Sequence, residues 1–213
     1  MANQLKIDFV SDVSCPWCAI GLKSLEAALA KLKGDVAVDL HFQPFELNPK
    51  MSADGQDIVE HIAEKYGSTP ADIERNRENI TARGAAVGFQ FNMKKRGRIY
   101  NTFDAHRLLH WAELEGKQEA LKNALFTAYF TEGRNPSDHA VLVDVAQQVA
   151  LDANRAAEIL KSDEFAADVR AREKFYTDRG IQAVPSVIIN DQHLIQGGQP
   201  AEVFERALRQ LAQ

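Results

Sequence analysis

Residues 5–42 read LKIDFVSDVSCPWCAIGLKSLEAALAKLKGDVAVDLHF, and this stretch decides the fold. Its first six residues, Leu5–Val10, alternate in polarity and predict a strand. Asp12 and Ser14 are both residue types that cap helices, and Pro16 suits a first helical position. From Cys18 onward, Leu22, Leu25, Leu29 and Leu32 follow at helical spacing, making one apolar stripe on a helix that runs to Lys33. Gly34 ends it. Val36, Val38, Leu40 and Phe42 then alternate with Ala37, Asp39, His41 and Gln43, which predicts a second, half-buried strand. Strand, helix and strand with a short return form a right-handed unit with parallel strands.

The C-terminal end supplies a complementary half. Val184-Pro185-Ser186-Val187-Ile188-Ile189 predicts a strand entered through proline, Asn190-Asp191-Gln192 a turn, and His193–Gln196 the returning strand. Gly197-Gly198 breaks the chain. Pro200 then opens a last helix with Val203, Phe204, Ala207, Leu208 and Leu211 on one face. Between about 50 and 178 the pattern is helical, with segments starting at Thr69-Pro70 and running over 102–115, 118–131, 138–150, 152–162 and 164–179. The expectation is an α/β domain from residues 1–49 and 179–213, carrying an inserted helical domain over 50–178.

A chain of 213 residues allows one domain, or a small domain with such an insertion. Hydrophobic residues at 45% and charged residues at 26% exclude disorder. The 25 basic and 30 acidic side chains leave a net charge of −5, which speaks against nucleic acid or an anionic membrane as the main partner. No apolar run approaches the roughly 18 residues of a membrane span. The N-terminus, Met1–Lys6, lacks the basic start and apolar core of a secretory signal, so a cytoplasmic setting is expected.

Two cysteines cannot build a multi-disulfide scaffold, and both sit in Cys15-Pro16-Trp17-Cys18. Cys18 heads the apolar stripe, so its sulfur should face the core. Cys15 lies one turn earlier, at the helix mouth, where its sulfur should reach water. The spacing stacks the two side chains and permits a disulfide. Free amides and the positive end of the helix favour an anion at Cys15, which should lower its pKa from about 8.5 into the range of roughly 3.5–7.5. Cys15 is the expected nucleophile and Cys18 the resolving thiol. The competing reading is half a zinc site completed by His106 and His110. A compact finger needs that histidine pair within about 15 residues of the second cysteine, and here it lies far down the chain. No metal is therefore expected.

Cys15-Pro16-Trp17-Cys18 after a strand, Val184-Pro185 opening a later strand, and a helical insertion between the halves resemble the thioredoxin superfamily and its DsbA-like branch. The sequence is most similar there to the cytoplasmic FrnE family, a neighbour of kappa-class glutathione transferases and 2-hydroxychromene-2-carboxylate isomerases. The segment Asn101–Leu108 adds to that likeness. The resemblance implies a thioredoxin-like fold: a four-stranded mixed sheet of βαβ plus ββα, with an inserted all-helical domain. It implies a cis proline at Pro185 beside the thiols, with the Val184 backbone free to pair with an extended substrate. Catalysis is then assigned to Cys15, Cys18 and Pro185, and substrate contact to Pro16, Trp17 and Val184.

Two departures from the superfamily bear on mechanism. Many thioredoxins carry a buried acid six residues before the first cysteine; here that residue is Phe9, which reads as core. Asp12 is the nearest acid, expected as a surface turn or cap residue, so Cys18 would lose its proton to water or to another group. The glutathione-dependent relatives usually carry serine at the position of Cys15, whereas a cysteine there attacks disulfides.

Four other features carry weaker expectations. Trp17 is read equally as a recognition surface or as packing against the helical segment. His106 and His110 are expected at a domain interface or in solvent, and Lys94-Lys95-Arg96-Gly97-Arg98 as a solvated loop. Gly197-Gly198-Gln199-Pro200 is explained by the helix start alone. The leading functional expectation is a protein disulfide oxidoreductase that reduces, oxidises or isomerises disulfides, with protein or small-molecule thiols as partners. It needs no bound cofactor beyond its cysteine pair, and leaves glutathione open as a co-substrate and a homodimer open as its assembly. The alternatives are a glutathione-dependent transferase or isomerase and a redox-independent peptide-binding chaperone.

Overall fold

The computed structural model describes residues 4–52 and 54–212. Met1–Asn3, part of the stretch read for a signal, lie outside them. In chain order the elements are β1 (Leu5–Ser11), α1 (Pro16–Lys31), β2 (Val38–Pro44), β3 (Gln56–Asp57), α2 (Ile58–Tyr66) and α3 (Pro70–Ala86). There follow β4 (Arg98–Ile99), α4 (Phe103–Leu114), α5 (Gln118–Phe126), a π-helical turn (Thr127–Thr131), α6 (His139–Gln148), α7 (Ala153–Lys161) and α8 (Ala166–Thr177). β5 (Ser186–Ile189), β6 (His193–Gln196) and α9 (Ala201–Leu211) complete the chain.

Four strands form one mixed sheet in the order β2-β1-β5-β6. β1 runs parallel to β2 and antiparallel to β5, and β5 pairs with β6 as a hairpin. This is the thioredoxin-like arrangement expected from the two ends of the chain. A central strand is covered on both faces, and β1 shows it. Leu5, Ile7 and Phe9 join the core built with Cys18, Leu22 and Leu25 of α1 and Phe204 and Leu208 of α9. On the opposite face Val10 packs with Tyr176 of α8 and Ile181. Asp8, also buried, is paired there by Lys6 Nζ at 3.0 Å and Gln43 Nε2 at 2.7 Å.

The segment between β2 and β5 builds a second core from α4, α5, α6 and α7, with Val13 inserted from the β1–α1 turn. It also lends Phe89, Phe91, Phe126, Tyr129 and Phe130 to the core of the sheet. Two of its features depart from the sequence pattern. β3 and β4 form a two-residue antiparallel ladder, too short to show any periodicity. The helix expected over 118–131 widens after Phe126 into the π-helical turn, where Glu132 N donates to Thr127 O. Such widenings recur at functional sites.

Two close approaches position the loops around α1. A methyl group at Gly21 would stand 3.1 Å from Pro185 Cγ, and one at Gly198 would stand 3.1 Å from Trp17 O. Glycine lets both segments lie directly against the first turns of the helix.

Candidate active site

The site begins where β1 ends. Cys15 is the N-cap of α1, in extended backbone geometry, and Pro16 occupies the first turn. Neither Asp12 nor Ser14 caps the helix. Asp12 is fully buried, not a surface residue. Its carboxylate accepts from Ser14 N (3.2 Å), Ser14 Oγ (2.9 Å) and Leu47 N (2.7 Å), and lies 3.6 Å from His106 Nε2. Burial alone would raise its pKa; His106 and the Leu47 amide outweigh burial and bring it to about 2. Asp12 thus ties the turn before Cys15 to the segment after β2. Its charge opposes an anion at Cys15 rather than assisting one.

No side-chain oxygen therefore caps the first turn of α1. Both cysteines are free thiols. The Cys15 thiol lies 3.6 Å from Val184 O, to which it donates, and the Val184–Pro185 peptide is cis. Hydrogen bonding from the Cys18 thiol lowers the Cys15 pKa, helped by the amides of Cys18 and Trp17, against burial and the Asp12 charge. Cys18 is fully buried, and burial followed by its neighbour's anion pushes its pKa well up. The two thiols therefore differ in their readiness to ionise.

Cys15 does not stand open to bulk water. Only 4% of it is exposed, and it lines a cavity of about 680 Å³ whose walls include Trp17, Lys65, Tyr66, Arg96 and Val184. The overhang comes from α2 and α3, which residues 15–18 cannot reveal. Trp17 packs against the helical segment, under Arg83 of α3, whose guanidinium is 5.8 Å from the ring, and it also lines the cavity. Arg83 also donates to Gly198 O at 3.0 Å.

Other candidates fall differently. Within the basic run, Lys94, Lys95 and Arg98 are exposed but Arg96 is buried. It donates to Ser14 O at 3.0 Å, and its guanidinium lies 5.1 Å from the rings of Tyr129 and Phe130. The π-helical turn makes that aromatic shelf, so a loop read as solvated is corrected at this one residue. His106 is buried against Asp12 and Phe45 O, whereas His110 stacks on Phe165 at 4.9 Å. Phe9 is core, as read. Among the described residues no three histidine, cysteine or acidic side chains converge as a metal site. Sequence reading also passed over Lys122, fully buried on α5. The available signal was a lysine among Leu121, Leu125 and Phe126 on the buried face of that helix.

The description "DSBA-like thioredoxin domain" matches residues 6–209. The chain belongs to the DsbA-like thioredoxin family. This DsbA-like protein is 33% identical to a probable DsbA oxidoreductase from Streptomyces coelicolor, with 97% of this chain and 89% of that one covered and a TM-score of 0.89. A 2-hydroxychromene-2-carboxylate isomerase shares the fold at 16% identity and a TM-score of 0.71, over 97% and 95% of the two chains. So does the cytosolic disulfide reductase DsbM from Pseudomonas aeruginosa, solved with GSH, at 18% identity and 0.66, over 98% and 100%. These likenesses reach the DsbA-like family as a whole and do not single out the FrnE branch. Among the described residues no helix is long and apolar enough to cross a membrane.

Proposed function

We propose that this DsbA-like protein is a thiol–disulfide oxidoreductase acting on small or extended disulfides in the cytoplasm. One observation carries the reading: an anion-favouring Cys15 and a proton-retaining Cys18 share the first turn of α1, with Cys15 on the wall of a cavity. The Cys15 thiolate attacks one sulfur of a substrate disulfide. The substrate S–S bond breaks, one half leaves as a thiolate that takes a proton from solvent, and a mixed disulfide with Cys15 remains. Cys18 then attacks Cys15 Sγ, closing the Cys15–Cys18 disulfide and expelling the second half as a thiol. Two electrons pass from protein to substrate, and two thiols of a reductant such as glutathione return them. Val184 O, 3.6 Å from Cys15 Sγ, would accept from the backbone of an extended substrate.

Recession of the sulfur favours a flexible peptide or a tripeptide-sized thiol over a disulfide held inside a rigid domain. Lys65 and Arg96 in the wall suit a carboxylate-bearing ligand, and the GSH-bound DsbM supports glutathione as that partner. The test is trapping. Cys18→Ser should accumulate a glutathione mixed disulfide at Cys15, located by peptide mass, and Cys15→Ser should form none and lose all disulfide turnover. Retained disulfide turnover in Cys15→Ser would refute the proposal, and turnover of a chromene-like or aryl halide substrate by that variant would favour the glutathione-dependent transferase or isomerase, for which a cavity of this size is also adequate.

A further inference from the structure

Resolution of the mixed disulfide draws on a fully buried, proton-holding Cys18, and Phe9 stands where an acid would serve it. The inference below rests on the dithiol reading just given and concerns the charge that faces it.

Gln118, Lys122 and Phe126 recur every four residues on one face of α5. At one end of this row Gln118 accepts from Phe42 N at 2.9 Å and donates to Phe42 O at 3.0 Å, gripping β2. At the other end Phe126 packs in the same core as Cys15 and Cys18. Beside the row, Asn123 donates to Glu26 Oε1 at 2.6 Å, and Glu26 shares with Leu22 and Cys18 one face of α1. α5 is thereby docked on both the sheet and the helix that carry the dithiol. Lys122 lies between these contacts, fully buried, its Nζ without a hydrogen-bond partner and 5.2 Å from the Phe126 ring centroid. An unpaired buried ammonium weakens a fold, and a methionine of similar length would serve packing better.

We infer that Lys122 is the buried counter-charge of the Cys15–Cys18 pair, a positioning residue that stabilises the sulfur anion. Burial lowers its pKa to about 8, while the charges of Cys18, Asp12 and Cys15 hold it up. It is therefore mostly an ammonium at neutral pH. During resolution it remains one: the Cys18 proton ends on the departing substrate sulfur, and Lys122 steadies the negative charge as Cys18 attacks. Once the disulfide closes, no sulfur anion remains and Lys122 keeps only Asp12. That asymmetry stabilises the reduced state and makes the pair more oxidising.

The test compares wild type, Lys122→Met and Lys122→Arg by thiolate absorbance at 240 nm and by equilibration with glutathione redox buffers, with thermal unfolding as the folding control. Lys122→Met should fold at least as stably, raise the Cys15 acid dissociation pKa by about one unit, and shift the exchange constant about tenfold toward the protein disulfide, about 30 mV more reducing. Lys122→Arg, keeping the charge, should return both values to within about twofold of wild type. Unchanged values in Lys122→Met, or equal shifts in the Met and Arg variants, would overturn the inference while leaving the dithiol reading intact. A wild-type pair that never exchanges with glutathione would remove that reading. The absorbance comparison would still decide whether Lys122 acts on Cys15.

Discussion

Asp12→Asn is the sharpest probe of how the site is held together. The carboxylate is fully buried, and its pKa falls from an ordinary 3.8 to about 2. At 1.36 kcal/mol per unit, that depression is worth about 2–3 kcal/mol of folding stability. The sign follows from linkage. The contribution is complete above the unfolded value of 3.8 and is lost as pH falls through the folded value near 2. Asparagine also presents an N–H₂ to a cluster of donors at Ser14 and Leu47, which adds to the loss. Urea unfolding at pH 7 should show the variant less stable by more than about 2–3 kcal/mol, and the gap should narrow by about that amount between pH 4 and pH 2, leaving the donor clash. Because the Asp12 charge opposes the Cys15 anion, the variant's Cys15 should titrate lower, not higher. A gap that persists undiminished to pH 2, or an upward move at Cys15, would refute the reasoning.

Three further outcomes follow from packing. Leu22→Ala empties space beneath the sheet and should cost about 2–5 kcal/mol in chemical denaturation, with the Cys15 titration unmoved. Gly21→Ala gains up to about 1 kcal/mol of helix propensity but drives a methyl to 3.1 Å from Pro185 Cγ. Overpacking of about 1–3 kcal/mol should win, so the variant should unfold earlier and exchange with glutathione several-fold more slowly. Arg96→Leu leaves Ser14 O without its donor and should lower stability by about 1–3 kcal/mol; an unchanged unfolding midpoint would deny Arg96 that role.

What the sequence made legible was whatever is encoded within a few residues. The stripe from Cys18 to Leu32 and the alternation of Leu5–Val10 fall on α1 and β1, and Pro16 falls in the first turn. The nearness of Val184 to Cys15 came only through family resemblance, because 169 residues separate the two. Asp12, Arg96 and Lys122 were misread or missed for one physical reason. A charged side chain is buried by contacts remote in sequence: Leu47 N for Asp12, Ser14 O and the Tyr129 shelf for Arg96, and the packing of α5 against β2 and α1 for Lys122. Local pattern reads such residues as surface, since charged residues usually are. The overhang above Cys15 was hidden likewise, because α2 and α3 return to it from beyond β2.

The grip of Gln118 on Phe42 has a consequence away from the dithiol. β2 forms one margin of the sheet, where exposed backbone groups invite a foreign strand. A side-chain amide here imitates the missing neighbour, occupying the outward N–H and C=O of Phe42 at mid-strand, and Pro44 further along has no N–H to offer. At Phe42 that flank is closed to templated aggregation, whereas the opposite margin exposes His193, Leu194 and Gln196.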